Sequence, residues 1–290
     1  MTDSTAGALA RFSSAWQPEE LRTGPAQQAA LRRAHDEVPE LRDLLDTAVA
    51  AARSELAVII ENFPIDDAAL AIAAGAFGTV DASYNGPNPD TLVHDVVDSA
   101  ARPYRDPDPF HSDSPMLPHP HAYLGLLCVR PSPNGDGQTV LVRAADIATE
   151  LAGQNLLQPL RDPCYPFAVP QGPGAERSEV ITHPIIAMSE EGTTVRYCPV
   201  RVAAGVQLAG HALDSEHLDA LHTFERTLQR PDLTAVFMLR AGDLLLLDNR
   251  RLLHGRTDVR PDGASRHLKR VKVHAFDSPG AAAPDNGREP

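Results

Sequence analysis

The chain has 290 residues, of which 42% are hydrophobic, and a formal net charge of -13. That length holds one large domain or two small ones, either with a substantial core. The acidic balance disfavours nucleic-acid and anionic-membrane partners, because neither would meet a broad cationic surface.

The longest apolar runs, "LAVII" (56–60) and the leucines of "DLLLLD" (243–248), are strand-length and too short to span a membrane. The opening "MTDSTAGALARFSS" lacks a basic segment followed by an apolar one, so no signal peptide is expected. Three scattered cysteines, Cys128, Cys164 and Cys198, argue against a disulfide framework and fit a reducing cytoplasm.

Residues 1–20 and the tail 277–290 are polar or rich in Pro, Gly and Ala, which predicts poor order at both ends of a single domain spanning 21–276. Leu41, Leu44, Leu45, Ala48, Val49 and Ala52 recur at helical spacing, which predicts an amphipathic helix from about Val38. The strand "LAVII" follows, then a helix over "IDDAALAIAAGAF" with an aspartate at its start. The Asn/Gly/Pro cluster at 85–89 reads as a loop.

From Thr91 onward the pattern is one of short strands: "TLVHDVV", "AYLGLLCV", "TVLV", "EVITHPIIA", "TTVRYCPVRV", "TAVFMLR", "LLLLD", "RLLH" and "HLKRVKVHA". Helices at about 144–160 and 214–229 interrupt them, the second with Leu218, Leu221, Phe224 and Leu228 on one side. "EVITHPIIA" and "TTVRYCPVRV", joined by "SEEG", predict a hairpin. The Pro/Gly-rich stretch 161–178 has the length and composition of a lid. Many short strands without strict βα alternation predict a mainly β fold with flanking α-helices, a sandwich or jelly roll.

Two stretches carry candidate chemistry. In "PDPFHSDSPML" (107–117) one serine separates His111 from Asp113, which is either a polar turn or two arms of a metal site. Further on, "DNRRLLHGRTDVRPDGASRHLKRVKVHA" (248–275) runs from a polar turn through a strand ending at His254 to a last strand. In that strand Arg266, Leu268 and Arg270 share one face, while His267, Lys269, Val271 and Val273 share the other. If the valine face packs on the bracing helices, Arg266 and Arg270 look inward and require anionic partners, which a dicarboxylate ligand would provide.

Taken singly, each residue has a plainer reading. His254 could end a strand with a local hydrogen bond, Thr139 is a good β-former, and the two arginines could line a solvated edge. His119 and His121 in "LPHPHAY" read as a proline-stiffened loop, and Cys128 as inert core. Arg196 and Arg201 fit either a cavity wall or the outer surface.

Taken together, "FHSDSP", "YLGLLCVR", "GDGQTVLV" and "DNRRLLHGRT…RPDGASRHLKR" resemble the iron(II)/2-oxoglutarate oxygenases of the taurine dioxygenase superfamily, especially the clavaminate synthase and asparagine oxygenase branch. The resemblance runs from "VIIENFPIDD" to the last strand, although this chain has aspartate where that branch usually has glutamate. It implies a double-stranded β-helix (jelly roll) and three metal ligands for Fe(II): His111, Asp113 and His254. It also matches Arg266 and Thr139 to the partners of the distal carboxylate of 2-oxoglutarate, and Arg270 to a position near the primary substrate.

The activity so implied is hydroxylation of an unactivated C–H bond, with 2-oxoglutarate and dioxygen as cosubstrates. The expected substrate is a free amino acid or an amino-acid-derived metabolite, and the expected setting a specialised-metabolite or antibiotic pathway. A sulfonate, sulfate or other small acid is the alternative substrate class, and desaturation or cyclisation the alternative outcome. A metal-free jelly-roll binding protein is a third reading, which predicts broken ligands.

Overall fold

The computed structural model describes residues 1–82, 91–97, 108–169, 179–210, 213–259 and 266–276. Three helices open the chain: α1 (Asp3–Ser13), α2 (Gly24–Glu37) and α3 (Leu41–Glu55). The first corrects the expectation that residues 1–20 are poorly ordered. The Thr2 hydroxyl accepts from the Thr5 amide as an N-cap, and Leu9 and Phe12 turn into the core. Helix α2 was not legible either, because only Ala30, Leu31 and Ala34 give its polar sequence a buried stripe. The helix expected from about Val38 begins at Leu41, since Val38 closes α2 and Glu40 adopts φ +64°.

Strand β1 (Ala57–Ile60) and helix α4 (Asp67–Ala74) follow, the latter capped by Asp66, which accepts from the Ala69 amide at 2.8 Å. Next come β2 (Thr79–Val80), β3 (His94–Val97), β4 (Asp108–His111), β5 (Tyr123–Arg130) and β6 (Thr139–Arg143). Helices α5 (Ala144–Ala152) and α6 (Leu157–Leu160) precede β7 (Tyr165–Ala168), β8 (Val180–His183), β9 (Ile186–Ser189) and β10 (Gly192–Val195). Helices α7 (Pro199–Ala209) and α8 (Ser215–Leu228) lead to β11 (Thr234–Phe237), β12 (Leu244–Asp248), β13 (Leu252–Arg256) and β14 (His267–His274).

The strand pairings among the described residues are antiparallel. The larger sheet runs β1-β12-β5-β14-β2, with β3 also on β14, and the smaller runs β11-β6-β13-β4. Strand alternation sorts the leucines of β12 onto two faces. Leu245 and Leu247 meet Leu124, Leu126, Leu141, Leu252 and Leu268 in a core shared by the two sheets. Leu244 and Leu246, with Val271 and Val273, pack instead on α1–α4. On the outer side of the smaller sheet, Val140, Val142 and Leu253 pack with Ile147, Leu151 and Phe224 from α5 and α8. The architecture is therefore mixed: antiparallel sheets covered by helices.

Several strand expectations shift in the middle of the chain. The predicted hairpin is real but shorter, pairing β9 with β10. Val180–His183 leaves it to pair with β7. The end of "TTVRYCPVRV" is helical, because Pro199 presets the first turn of α7 and Val202 and Gly205 bury one side of it. Gly205 lies so close to β7 that an added Cβ would sit 2.3 Å from the Pro166 carbonyl oxygen.

The lid expected over 161–178 is corrected in its first half, where Tyr165 and Phe167 are fully buried in β7. Residues 170–178 lie outside the described residues, as do the expected loop 85–89 and tail 277–290. Of the apolar side expected for α8, Leu221, Phe224 and Leu228 are buried, but Leu218 is exposed.

Candidate active site

His111 ends β4 and faces His254 of β13 directly across the smaller sheet, so strand register alone brings the two imidazoles together. Their ring centroids are 4.4 Å apart. Asp113 follows on a turn that leaves β4, with its Oδ1 3.7 Å from His111 Nε2. One donor atom from each of the three residues lies within 4.8 Å of the others, and Asp113 and His254 are buried.

That turn is held from several directions. The Asp113 amide donates to Asn249 Oδ1 at 2.7 Å, and Asn249 Nδ2 donates to the Asp113 carbonyl at 3.0 Å. The same Asn249 amide reaches the His121 carbonyl at 2.9 Å. Ser112 exchanges bonds with Tyr197, donating its amide to the Tyr197 carbonyl and accepting from the Tyr197 amide. Arg196 points inward and donates to the carbonyls of Leu117 and Pro118 at 2.7 and 2.9 Å, bracing the chain beyond Asp113.

The electrostatics set opposite protonation preferences on neighbouring groups. Burial alone would raise the Asp113 pKa, but Arg270, Lys272, His254 and His111 together hold it well below the usual carboxylate range. Burial, then the neighbouring His111, pushes His254 down to about 3, so its ring is neutral. An ionised carboxylate beside a neutral imidazole is the form in which both residues donate to a metal ion. Asp113 Oδ2 lies 3.1 Å from Arg270 Nη1 and 3.6 Å from Lys272 Nζ, and Arg270 Nη1 donates to Asp113 Oδ1 at 3.4 Å.

The remaining sequence candidates gather beside this group. Thr139, at the start of β6, accepts from Arg266 Nη2 at 3.4 Å, and both residues are buried between the sheets. Arg270 lies on β14, with Leu268 of the same face in the inter-sheet core and Val271 and Val273 on the helix side. The structure thus brings together His111, Asp113, His254 and Arg270 in one place, and Arg266 with Thr139 in another.

Three functional neighbours were missed. Asn249 lay in the "DNRR" stretch read only as a polar turn. Lys272 shares the two-residue period of Arg266 and Arg270, so alternation could have found it; its Nζ donates to Ser114 Oγ at 3.2 Å. His121, read as part of a stiffened loop, is completely buried and meets Asp81 and His274. Cys128 behaves as expected: it is buried, and burial raises its thiol pKa to about 11.

Residues 22–272 match the family described as taurine catabolism dioxygenase TauD, TfdA family. No curated protein matches the chain. Among solved structures, an asparagine oxygenase in complex with Fe(II), 2S,3S-3-hydroxyasparagine and succinate is similar at a TM-score of 0.72 and 19% identity, covering 95% of this chain and 92% of that one. The non-heme iron oxygenase OrfP, in complex with Fe and alpha-ketoglutaric acid, is similar at a TM-score of 0.70 and 19% identity over 96% and 93% of the two chains. The OrfP complex with Fe and L-Arg gives a TM-score of 0.68 at 20% identity, with 96% and 93% covered. At these identities the likeness speaks to the fold.

Proposed function

The chain belongs to the taurine catabolism dioxygenase TauD, TfdA family, whose enzymes use Fe(II) and 2-oxoglutarate, and on that premise we propose that it hydroxylates an unactivated C–H bond of a free amino acid or an amino-acid-derived small metabolite. In this reading the two facing sheets form a double-stranded β-helix, and residues 21–276 with the N-terminal helix make one domain. The setting is cytoplasmic and the pathway a specialised-metabolite one.

The single observation that carries the reading is the buried group His111, Asp113 and His254, with donor atoms within 4.8 Å of one another. Two imidazoles and one carboxylate suit Fe(II) and leave positions open for other ligands. Fe(II) held by His111, Asp113 and His254, with 2-oxoglutarate and dioxygen, would supply the oxidising power for C–H hydroxylation.

The chain's own residues do the rest. Arg266 pairs with the distal carboxylate of 2-oxoglutarate, and Thr139, already 3.4 Å from that guanidinium, adds a hydroxyl. Arg270, which already pairs with Asp113, is the side chain we assign to an anionic group of the primary substrate, and an amino acid's α-carboxylate is the simplest candidate. The asparagine oxygenase and OrfP complexes, which hold hydroxyasparagine and L-Arg, support an amino acid over a sulfonate. The inter-sheet leucines around the site limit the entry of water to the reacting carbon.

The test is a screen of amino acids, their derivatives and taurine for substrate-stimulated release of succinate. Stimulation by an amino acid is the expected result, and Arg270→Gln should then weaken substrate binding far more than 2-oxoglutarate binding. Stimulation only by a sulfonate would move the substrate class, and a substrate with no acidic group would make Arg270 structural. His254→Ala should lose iron binding and turnover together; full activity in that variant would sink the ligand assignment.

A further inference from the structure

Apart from the site just described, a second group of two histidines and one carboxylate lies in the core: Asp81, His121 and His274. We propose that it is a structural site for a divalent metal such as Zn(II), which pins three neighbouring strands of the larger sheet at one end.

The strand order places the three residues together. β5, β14 and β2 are adjacent, His121 stands just before β5, His274 ends β14, and Asp81 follows β2. Backbone bonds from the Ala122 amide to the Val273 carbonyl (2.8 Å) and from the Asp81 amide to the Lys272 carbonyl (2.9 Å) fix all three at one level. Each strand therefore contributes one donor.

The spacings fit an ion. Asp81 Oδ2 is 2.8 Å from His121 Nε2 and 3.5 Å from His274 Nε2. Donors about 2.0–2.2 Å from an octahedral or tetrahedral ion stand roughly 2.8–3.6 Å apart, and both observed distances fall in that range, the shorter being also a hydrogen bond from His121 to Asp81. The His121 and His274 ring centroids are 4.4 Å apart, the same as in the His111–His254 pair. His121 is fully buried and His274 nearly so, and neither has a hydrogen-bond partner for its Nδ1 among the described residues.

The charge pattern also fits. Burial, with Lys272 and His274 beside it, holds the His121 pKa below its ordinary value against the pull of Asp81. The nearby cation, Lys272, donates to Ser114 Oγ at 3.2 Å and lies 3.6 Å from Asp113 Oδ2. Imidazole and carboxylate donors select a transition ion such as zinc over calcium or magnesium. Because the site is enclosed, the ion would enter during folding and then be retained. The competing arrangement is a carboxylate that simply fastens two imidazoles by hydrogen bonds.

The experiment uses the full chain carrying His111→Ala and His254→Ala, which removes two ligands of the first group. It is refolded with Zn(II) or with a chelator, desalted, and assayed for zinc and thermal stability. About one zinc per chain and a higher Tm than the chelator-refolded sample are expected. A chain that is folded by circular dichroism yet zinc-free would overturn the proposal. Adding Asp81→Asn should remove the zinc while keeping a polar partner for His121; zinc retained in that variant would place the ion elsewhere and equally refute the site. If Asp81→Asn does not refold, His274→Gln is judged by the same zinc content.

Discussion

Asp113 is shared between a histidine and two cations: its Oδ1 lies 3.7 Å from His111 Nε2 and accepts from Arg270 Nη1 at 3.4 Å, while its Oδ2 lies 3.1 Å from the same Arg270 nitrogen and 3.6 Å from Lys272 Nζ. The two cations hold its carboxylate ionised, the form that ligates a metal ion. Its orientation is set through the backbone by Asn249, which bonds both the amide and the carbonyl of Asp113. Loss of a group that orients a metal ligand typically costs about 10–100-fold in affinity. Asn249→Ala should therefore weaken anaerobic Fe(II) binding by about that factor, and unchanged affinity would show that the turn is held without it. Arg266 is proposed to act on a separate ligand, 2-oxoglutarate. Truncating a charged pair in a desolvated site costs roughly 2–5 kcal/mol, so Arg266→Ala should raise the apparent 2-oxoglutarate requirement at least about tenfold, measured by succinate formation. Thr139→Val should do less. The candidate residues themselves were legible because each sits in a short motif with ordered spacing. Asn249 was not, since its work is done through main-chain groups 136 residues away, and nothing local in the sequence encodes such a partner.

At the scale of elements, periodicity worked where an element buries one face and failed where packing is set by a distant surface. α3 and α8 carry clear apolar stripes, α4 is apolar and buried on every side, and β12 and β14 are bounded closely by their own pattern. α7 was read as strand because "VRYCPVRV" is rich in β-branched residues, whereas tertiary contact with β7 through Gly205 decides the outcome. Residues 161–169, the described part of the stretch expected to be a lid, are likewise tied down: Asp162 accepts from His217 Nε2 at 3.0 Å, and Asp214, the N-cap of α8, meets His217 Nδ1 at 2.7 Å. The bond to Asp214, then that to Asp162, raises the His217 pKa above its ordinary value against the effect of burial. A raised histidine contributes stability that is complete below the unfolded pKa near 6.5 and is lost as pH rises through the folded value. Urea unfolding at pH 6 and pH 8.5 should therefore show a larger loss of stability in the wild type than in His217→Gln. Equal losses would mean that the bridge carries no net proton linkage.

For the whole molecule, the consequence lies in how the site spans the two sheets. Arg266 and Arg270 belong to the β14 region of the larger sheet, whereas Thr139, His111 and His254 belong to the smaller one. Ligands held by both sets tie the sheets together across the leucine core, so binding is expected to appear as global stabilisation. A ligand that binds only the folded state at about 100 times its Kd adds roughly 2.7 kcal/mol. For a chain of this size each kcal/mol raises Tm by about 2–4 °C, so the metal should contribute roughly 5–10 °C and 2-oxoglutarate a similar second increment. Anaerobic thermal unfolding with Mn(II) in place of iron, with and without 2-oxoglutarate, measures both increments without turnover. Arg266→Ala should keep the first and lose most of the second, while His254→Ala should lose both if the bound metal helps to hold 2-oxoglutarate, as proposed. A second increment that survives intact in Arg266→Ala would mean that the dicarboxylate is held within the smaller sheet alone, and that the two sheets are joined by their leucines and not by the ligand.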